Sequence, residues 1–368
     1  MKEQKQVFII SSEFPPQPGG IGNHAYNLAK HLQNHGKTVT VLTDNRSVSG
    51  SDEIQFDANC AFKVVRVPVT KPRIFMYLLR FWKALQLIKK HNILIVSGKF
   101  PIWLGAILSL VSSLKKIAIV HGTEVNFKKN LLKKSIDFAL NRYQKIIAVS
   151  NHTKNLLTPN NQLKCVVIPN GFDPDKFDST REQEIDLEGN PALITVGNVT
   201  ERKGQLNVIK QLPHLRKVFP ELHYHIVGLP TQKEEFLKEA AALKVAQHIT
   251  FHGVVPDVLL KTYLLKSTIF VMLSSETATG DVEGFGIAVL EANYLGIPAI
   301  GATNCGIEDA VLEGKSGHLI NYNDSEAFVN AITSILKSKE VYKKEAIKWG
   351  NKHCWENVIQ EYLKNLEF

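Results

Sequence analysis

The stretch ALITVGNVTERKG, residues 192–204, places a short β-branched strand directly before a glycine turn and a helix. Ala192–Val196 is the predicted strand, and the basic pair Arg202 and Lys203 stands just before the helix begins. Parallel sheets are assembled from strands that feed helices through turns of this kind. The stretch therefore predicts a βα unit with two cations beside a helix N-terminus, where they suit a diphosphate; a solvated basic turn is the alternative.

The same alternation of strand and helix continues on both sides of this unit. Seven strands are predicted before it: Val7–Ile10, Thr38–Thr43, Phe62–Val67, Ile93–Val96, Ile117–Val120, Ile146–Val149 and Cys165–Ile168. The later series is Ala192–Val196, His223–Val227, Ile249–Phe251, Ile269–Leu273 and Pro298–Gly301. Residues 168–191, rich in Pro, Gly, Asn and Asp, are predicted to link two domains. The order predicts two doubly wound, Rossmann-like α/β domains in tandem, residues 1–170 and 171–349.

The C-terminal segment, from about residue 341, is predicted to be helical. It carries Trp349, Trp355 and Tyr362 at spacings that favour packing on a neighbouring surface. We predict that the helix of about residues 350–368 packs back on the first domain.

Composition is typical of a globular chain that stays in the cytoplasm. The 368 residues are 44% hydrophobic and 21% charged, which suits two domains. The start lacks the apolar stretch of a signal peptide. The most apolar run, residues 101–111, is shorter than the roughly 20 residues of a membrane span and predicts a buried helix. Four scattered cysteines indicate reduced thiols, because none forms a close pair.

The charge balance favours anionic partners. The chain has 44 Lys and Arg against 35 Asp and Glu, a net charge of +9. No nucleic-acid-binding signature accompanies this charge, so nucleic acid is not a predicted partner. Lys and Arg alternate with large apolar residues in 71–90 and 128–134, which suits helices lying on an anionic membrane surface. A half-buried core helix with a solvated basic face explains the first segment equally well and is favoured for the second.

Unusual residues collect in the loops that follow predicted strands. Ligands of open α/β sheets bind at this end of the strands, so the position of these loops favours a functional role. The loops carry Gly19 and Gly20, His121, Lys203, Glu283–Gly286 and Gly306.

The first of these loops, PPQPGGIGNHAYNLAKHL at residues 15–32, joins two glycines to an apolar-periodic helix. Gly19 and Gly20 allow close approach of the backbone to a ligand, and the helix start offers N–H groups to anionic oxygens. The glycine spacing does not reproduce the dinucleotide fingerprint Gly-x-Gly-x-x-Gly. A tight turn without a ligand remains the alternative.

The stretch EGFGIAVLE, residues 283–291, brackets a helix start with two carboxylates. If it were fully helical, Glu283 and Glu291 would lie roughly 12 Å apart. This exceeds the separation of about 5 to 10 Å used by glycoside hydrolases, so two separate hydroxyl-binding roles suit them better. The glycines leave three backbone N–H groups available to a phosphate or a sugar hydroxyl: those of Phe285, Gly286 and Ile287. A glutamate that simply reaches solvent is the alternative for Glu291.

His121, in VHGTEVN, ends a predicted strand at the same type of position. An imidazole there can donate to a sugar oxygen or position an acceptor, although single histidines are commonly structural. The remaining histidines show no metal-like spacing, so no catalytic metal is predicted.

Taken together, the motifs resemble the retaining glycosyltransferases of family 4, also called glycosyl transferases group 1, which have the GT-B fold. The resemblance extends over nearly the whole chain. It rests on six segments in the family's order: FPPQPGGIGNHAYNLAKHL, HGTEVN, AVSNHTKNLL, VVIPNGFDPDKF, VGNVTERKG and EGFGIAVLEANYLGIPAIG. It implies two Rossmann-like domains that face each other across a donor-binding cleft.

The resemblance also implies roles for individual residues. Gly20 approaches the donor diphosphate and Lys203 contacts its phosphates. Glu283 binds donor sugar hydroxyls, Glu291 holds the nucleotide ribose, and His121 lies by the transferred sugar. The amides near Glu283 are those of Phe285, Gly286 and Ile287. Transfer with retention of configuration, without a metal or other cofactor, is implied as well, the leaving phosphate accepting the acceptor's proton.

Two features depart from the family pattern. Asn198 stands where the family commonly has an arginine, so one phosphate cation is missing, and Arg202 is a candidate to compensate. The loop SETATGDVE, residues 275–283, is longer than the family's shortest versions, and we hypothesise that it caps the donor or shapes acceptor access.

The expected function is hexosyl transfer from a UDP- or GDP-sugar to a glycan or lipid-linked acceptor in cell-surface polysaccharide or glycolipid synthesis. The expected location is cytoplasmic, with peripheral attachment to the inner face of the membrane. Three alternatives stay open: a sugar-nucleotide epimerase, a phosphorylase, and an inactive donor-binding partner subunit, the last favoured only by Asn198.

Overall fold

The structure, a computed structural model, describes residues 5–17, 19–47, 50–178 and 184–367. Its strands are β1 Gln6–Ser11, β2 Thr38–Asn45, β3 Lys63–Pro68, β4 Ile93–Ser97, β5 Lys115–Val120, β6 Lys145–Ala148, β7 Cys165–Val167, β8 Ala192–Val196, β9 His223–Val227, β10 Ile249–Gly253, β11 Ile269–Met272, β12 Ala299–Ala302 and β13 Gly317–Ile320.

The α-helices are α1 Gly20–Asn34, α2 Ser51–Ala58, α3 Arg73–Ile88, α4 Lys99–Leu108, α5 Asn130–Leu140, α6 Asn151–Asn155, α7 Pro159–Gln162, α8 Gln205–Val218, α9 Lys233–Ala242, α10 Asp257–Lys266, α11 Ile287–Tyr294, α12 Ser325–Lys337, α13 Lys339–Lys352 and α14 Trp355–Asn365. Short 3-10 helices cover Pro174–Phe177, Glu201–Lys203, Ala246–His248 and Gly306–Asp309.

The chain divides into two compact units, each built on one parallel sheet. Unit 1 contains residues 1–170 and 355–368, and unit 2 contains residues 171–354. The sheet of unit 1 has the strand order β3-β2-β1-β4-β5-β6-β7, and that of unit 2 the order β10-β9-β8-β11-β12-β13. Both sheets therefore reverse their winding once, between β1 and β4 and between β8 and β11. Such switch points leave a crevice at the carboxyl ends of the strands, where ligands of this architecture bind.

The central strands are continuous apolar runs because both faces of each sheet are covered by helices. In β1, the four residues from Val7 to Ile10 are fully buried, and in β11 the four from Ile269 to Met272 are too. Right-handed crossovers place helices on opposite faces when a sheet changes winding direction. In unit 1, this puts α3, α4 and α5 on one face of the sheet and α1 on the other.

Helix α3 is attached to its sheet by apolar packing and by one buried ion pair. Met76, Ala84 and Ile88 enter the core of unit 1 from one side of the helix. Arg80, on the same side, forms an ion pair with Asp44 of β2, and both side chains are at least 90% buried. Because a buried charge is costly without its partner, this pair fixes the position of α3 on the sheet.

The twelve predicted strands are all present, with ends that shift by at most two residues. The sequence prediction omitted β13, which has only two large apolar residues in four positions and pairs with β12 alone at the edge of its sheet. The apolar run at 101–111 was predicted to be a buried helix, and this is correct for one side of α4 only. Ile107, Leu110 and Val111 are 50%, 68% and 64% exposed. Among the described residues, no helix is long and apolar enough to cross a bilayer.

The C-terminal segment consists of two helices rather than one. The chain breaks between α13 and α14 at His353 and Cys354, so the final helix begins at Trp355. Trp349 belongs to unit 2, where its indole N–H donates to the carbonyl of Ala310 at 2.8 Å. Trp355 and Tyr362 lie in unit 1, fully buried, where α14 packs on α1. The predicted linker at 168–191 contains residues 179–183, which lie outside the described residues.

Candidate functional site

In unit 2, the loops after β8 and β11 bring two cations onto one carboxylate at the switch point. Lys203 Nζ lies 2.7 Å from Glu283 Oε2, and Arg202 Nη1 contacts the same oxygen. The two basic residues belong to the short 3-10 helix Glu201–Lys203 that precedes α8, while Glu283 precedes α11. The basic pair and Glu283 were predicted from separate segments of the sequence, and the fold assembles them into one cluster.

The electrostatics of this cluster keep Glu283 ionised. Burial disfavours its charged form, but Lys203 and Arg202 outweigh that effect and lower the pKa of Glu283 to about 2. The carboxylate is therefore negative throughout the physiological range. Glu283 holds Arg202 and Lys203 at one point of the site, where a phosphate could bind both cations in its place.

The loop at 275–283 is tied to this cluster. Arg202 Nε lies 3.3 Å from Asp281 Oδ2, so Arg202 bridges two acidic residues of the loop. A tight turn shapes the loop, in which the amide of Thr277 donates to the carbonyl of Asp281 at 2.9 Å. Because Arg202 contacts both Asp281 and Glu283, the position of the loop depends on the ion pairs of the cluster.

The start of α11 presents backbone N–H groups next to Glu283. Gly286 has φ +94°, a left-handed conformation that favours glycine, and the helix begins at the next residue. The segment 283–286 is not helical, so the 12 Å separation expected for a continuous helix does not apply. Among the described residues, no hydrogen-bond acceptor is found for the N–H groups of Phe285, Gly286 and Ile287. Three consecutive N–H groups at a helix start are suited to an anionic oxygen.

Glu291 lies one turn into α11 and is paired. Its Oε1 contacts the ammonium of Lys176, and the Glu291 side chain is 13% exposed. Lys176 belongs to the 3-10 helix Pro174–Phe177, so the partner comes from a distant part of unit 2. The sequence analysis quoted the segment that contains Lys176 but did not single it out. The ion pair differs from the alternative of a freely solvated glutamate, and it offsets the cost of partly burying the carboxylate.

Asn198 follows β8 at the same end of the sheet. It is exposed, and its backbone carbonyl accepts a hydrogen bond from Gln205 Nε2 at 3.1 Å. Arg202 contacts the carboxylate that Lys203 also contacts, so unit 2 has two cations here although position 198 is not basic.

In unit 1, His121 follows β5 and is fixed from two sides. Its Nε2 forms a hydrogen bond with Ser97 Oγ, at the end of β4, over 2.9 Å. Its backbone N–H donates to Glu124 Oε2 at 3.1 Å. Burial lowers the pKa of His121 to about 4, so the imidazole is neutral at physiological pH.

Glu124 and His24 complete the surroundings of His121, and the sequence analysis assigned a role to neither. Burial raises the pKa of Glu124 to about 7, and its second oxygen, Oε1, has no hydrogen-bond partner among the described residues. The His24 ring packs edge-on against His121 with centroids 5.0 Å apart, and His24 Nε2 bonds to Tyr362 OH at 2.8 Å. Helix α14 thereby supports the histidine pair. Both residues lie inside motifs quoted from the sequence, which was the available signal.

Gly19 and Gly20 lie at the start of α1, which begins at Gly20. Gly20 is exposed, and a Cβ added there would meet no atom within 4 Å. A Cβ at Gly19 would lie 2.6 Å from Glu13 Oε2, so the Glu13 side chain covers one side of Gly19. Gly20 is therefore the more accessible of the two predicted glycines.

Three histidines that the sequence analysis treated as unrelated are brought together by the pairing of β9 and β10. His223 stacks on His225 with centroids 4.7 Å apart, and His225 Nδ1 lies 3.1 Å from His252 Nε2. Among the described residues, no group of three or more His, Cys, Asp or Glu side chains has an arrangement that could hold a metal ion.

Comparison with known proteins covers almost the whole chain. The profile of Glycosyltransferase Family 4 matches residues 18–176, and that of Glycosyl transferases group 1 matches residues 176–352. The chain is 26% identical over 355 residues to the GDP-mannose-dependent alpha-(1-6)-phosphatidylinositol monomannoside mannosyltransferase of Mycolicibacterium smegmatis, covering 90% of this chain and 89% of the relative. It is 29% identical over 135 residues to the putative colanic acid biosynthesis glycosyltransferase WcaL of Salmonella typhimurium, covering 37% and 33% of the two chains.

Solved structures share the fold at low sequence identity. Anabaena HepE in complex with UDP and glucose superimposes with a TM-score of 0.76 at 16% identity, covering 99% of both chains. Sucrose-phosphate synthase from Thermosynechococcus elongatus gives 0.78 at 16% identity, covering 99% of this chain and 98% of the other. The two parallel sheets with their switch points are thus the GT-B fold. With both family profiles matched in order along this fold, the chain belongs to glycosyltransferase family 4.

Proposed function

We propose that this glycosyltransferase moves a hexose from a UDP- or GDP-sugar to a hydroxyl of a glycan or lipid-linked acceptor, with retention of configuration and without a metal. The observation that carries the proposal is the cluster of Lys203, Arg202 and Glu283 beside the N–H groups that start α11. A diphosphate needs cations and N–H donors, and a sugar needs a carboxylate that accepts from its hydroxyls. The loops after β8 and β11 offer all of these at the switch point of one sheet.

Donor binding on this proposal exchanges one anion for another. The diphosphate takes Lys203 and Arg202 from Glu283, and the released carboxylate accepts hydrogen bonds from the sugar hydroxyls. The cations then stabilise the negative charge that develops on the leaving diphosphate as the glycosidic bond breaks. Glu291, held by Lys176, binds the ribose.

The acceptor hydroxyl attacks from the face that the diphosphate leaves, and a phosphate oxygen takes its proton. This assignment rests on the family resemblance. His121 stays neutral under physiological conditions and hydrogen-bonds an oxygen of the transferred sugar, which places the reacting carbon.

The relatives support a surface-glycan or glycolipid setting. The Mycolicibacterium relative is named for a phosphatidylinositol-linked acceptor and the Salmonella relative for colanic acid biosynthesis. We extend both by analogy: the acceptor is a lipid-linked or polymeric glycan, and the enzyme works in the cytoplasm, attached reversibly to the inner face of the membrane.

Calorimetry and thermal shift with UDP, GDP, ADP and their common sugars, in buffer that contains EDTA, test the donor site. One nucleotide should stabilise the wild type, and the stabilisation should fall in Lys203→Ala and Glu291→Ala. Transfer to a panel of alkyl glycosides, with the product's anomeric configuration read by NMR, tests retention. Failure of every nucleotide to bind would contradict the proposal, and a product of inverted configuration would contradict its mechanism.

A further inference from the structure

Helices α3, α4 and α5 together carry an unusual number of exposed apolar side chains on the outer side of unit 1. We call this surface the α3–α5 face. Ten large apolar residues in or just after these helices are between 39% and 84% exposed: Ile74, Phe75, Leu78, Trp82, Ile107, Leu110, Val111, Leu131, Leu132 and Phe138. Large apolar side chains exposed in this number on neighbouring helices of a folded protein indicate an interaction site.

Helix α3 has apolar residues on two opposite sides. The side that carries Met76 and Ala84 packs in the core of unit 1. The positions of Ile74, Leu78 and Trp82 repeat every four residues, so these side chains form one stripe along the other side. Trp82 is 60% exposed, although tryptophan is among the side chains that gain most from burying their apolar area. The core explains one side of the helix, and only a partner can explain the other.

Charge identifies the kind of partner. Residues 58–123 contain no Asp or Glu, and the exposed cations in and beside α3 include Lys71, Arg73, Lys89 and Lys90. Lys89 and Lys90 follow the end of α3, and Lys128 and Lys129 precede α5, so cations border the exposed apolar residues of both helices. Large apolar residues bordered by lysines, spread over three helices, match the boundary between the headgroups and acyl chains of an anionic bilayer. A protein partner would have to present a surface that is both acidic and apolar, whereas an anionic bilayer has both properties already.

A groove between α4 and α5 opens on the same face. Its volume is about 390 Å³, within the range of small-molecule sites. Its walls are mainly apolar and include Trp103, Ala106, Leu110 and Phe138. Arg142 lines the groove as well, and its guanidinium lies 5.6 Å from the centre of the Phe138 ring. The groove thus combines an apolar channel with a cation.

We propose that the α3–α5 face docks on an anionic phospholipid bilayer and that the α4–α5 groove takes one acyl chain, with the lipid phosphate on Arg142. This deepens the membrane attachment in the proposed function and rests on it, but it is independent of the donor chemistry. The phosphate oxygens accept hydrogen bonds from the guanidinium, and the apolar stripe of α3 enters the headgroup boundary beside the occupied groove.

Sedimentation with vesicles of phosphatidylcholine, alone or mixed with phosphatidylglycerol, tests docking. The wild type should bind the mixed vesicles, and Lys89→Glu with Lys90→Glu should weaken binding roughly tenfold or more. Phe75→Ser with Trp82→Ser should weaken it as well. Leu163→Ser, at a position 88% exposed outside the face, and Lys217→Glu in unit 2 are the matched controls and should bind as the wild type does.

Tryptophan fluorescence tests the groove directly. In the Trp82→Phe variant, Trp103 is the groove's own reporter, and phosphatidylglycerol with brominated acyl chains should quench it. Ala106→Phe, which fills the groove, should reduce that quenching while vesicle binding persists. Removing Trp103 as well should leave Trp349 and Trp355 unquenched.

Each outcome decides one part of the proposal. Absent or equal sedimentation with both vesicle types overturns anionic docking, and docking without quenching of Trp103 overturns the acyl-chain site. Equal weakening by Leu163→Ser would assign the binding to surface hydrophobicity in general and also overturn the face. Calorimetric nucleotide binding, measured on the same samples without vesicles, separates these failures from a failure of the proposed transferase function.

Discussion

Replacing Lys203 by alanine perturbs the donor site at its most constrained contact. Lys203 Nζ lies 2.7 Å from Glu283 Oε2, and the Lys203 side chain is only 17% exposed. The substitution removes one of two cations from a buried carboxylate and leaves Arg202 as the remaining partner. It should therefore change two quantities, the stability of the free enzyme and its affinity for a nucleoside diphosphate.

The stability effect follows from the pKa of Glu283. That pKa is about 2 against an ordinary value of 4.5, which at 1.36 kcal/mol per pKa unit corresponds to about 3 kcal/mol in favour of the charged form. Among the groups that lower it, Lys203 contributes most, so its removal should cost about 1.5 to 2 kcal/mol of folding free energy at pH 7. A lowered carboxyl pKa stabilises the fold above pH 4.5 and ceases to do so as the pH falls toward 2. The difference between variant and wild type should therefore shrink over that interval.

The binding effect follows from the lost phosphate contact. A hydrogen bond to a charged group contributes about 1.5 to 3 kcal/mol, so the dissociation constant of UDP or GDP should rise about 10- to 100-fold. Isothermal titration calorimetry measures it. Lys210→Ala, which removes an exposed lysine from α8, is the control and should leave both quantities unchanged.

Glu283→Gln provides the opposing variant. Without the carboxylate, the two cations no longer have to leave an anion when a diphosphate binds, so UDP or GDP should bind as tightly as in the wild type or more tightly. Transfer of the sugar should nevertheless fall, because the hydroxyl acceptor is gone. The anion-exchange reasoning is refuted if Lys203→Ala binds the nucleotide normally, or if Glu283→Gln weakens the free diphosphate as much as Lys203→Ala does.

Four further predictions concern other parts of the chain. Gly286→Ala forces φ +94° on a residue with a Cβ, which should lower the free energy of unfolding by about 1 to 2 kcal/mol, read from the melting temperature. Burial raises the pKa of Glu124 to about 7, so the protonated carboxyl contributes stability below pH 4.5, and this contribution is lost as the pH rises through 7. Glu124→Gln should therefore flatten the decline in the free energy of urea unfolding between pH 5 and 8. An unchanged slope would contradict this. Burial lowers the pKa values of His225 and His252, and repulsion from His225 and His223 lowers that of His252 further, to about 4. Stability should therefore fall as the pH drops from 6.5 toward 4, and His252→Gln should reduce that fall. Tyr362→Phe removes the hydrogen bond to His24 and should lower kcat more than the donor dissociation constant, measured by steady-state kinetics and calorimetry.

The sequence by itself determined the architecture of this protein. Strands such as β1 and β11 are recognisable as buried parallel strands because both faces of the sheet are covered, which requires an unbroken apolar run. Lys203, Glu283 and His121 could be located because ligand sites of open α/β sheets fall at strand ends, a position that the order of elements already fixes. The edge strand β13 was not recognisable, since a four-residue strand with one neighbour needs little apolar character.

Only the tertiary structure decided which of these residues touch. Glu283 was predicted to bind sugar hydroxyls and Lys203 phosphates, but their mutual ion pair depends on β8 and β11 lying side by side. Lys176 and Glu291 are 115 residues apart, and the contact between His24 and Tyr362 spans 338. Local patterns record the preference of a segment for strand, helix or turn, whereas charge pairing depends on distances of a few ångströms between distant segments. Those distances arise when the sheets and helices pack, so the pKa of Glu283 and the support of His121 are properties of the fold.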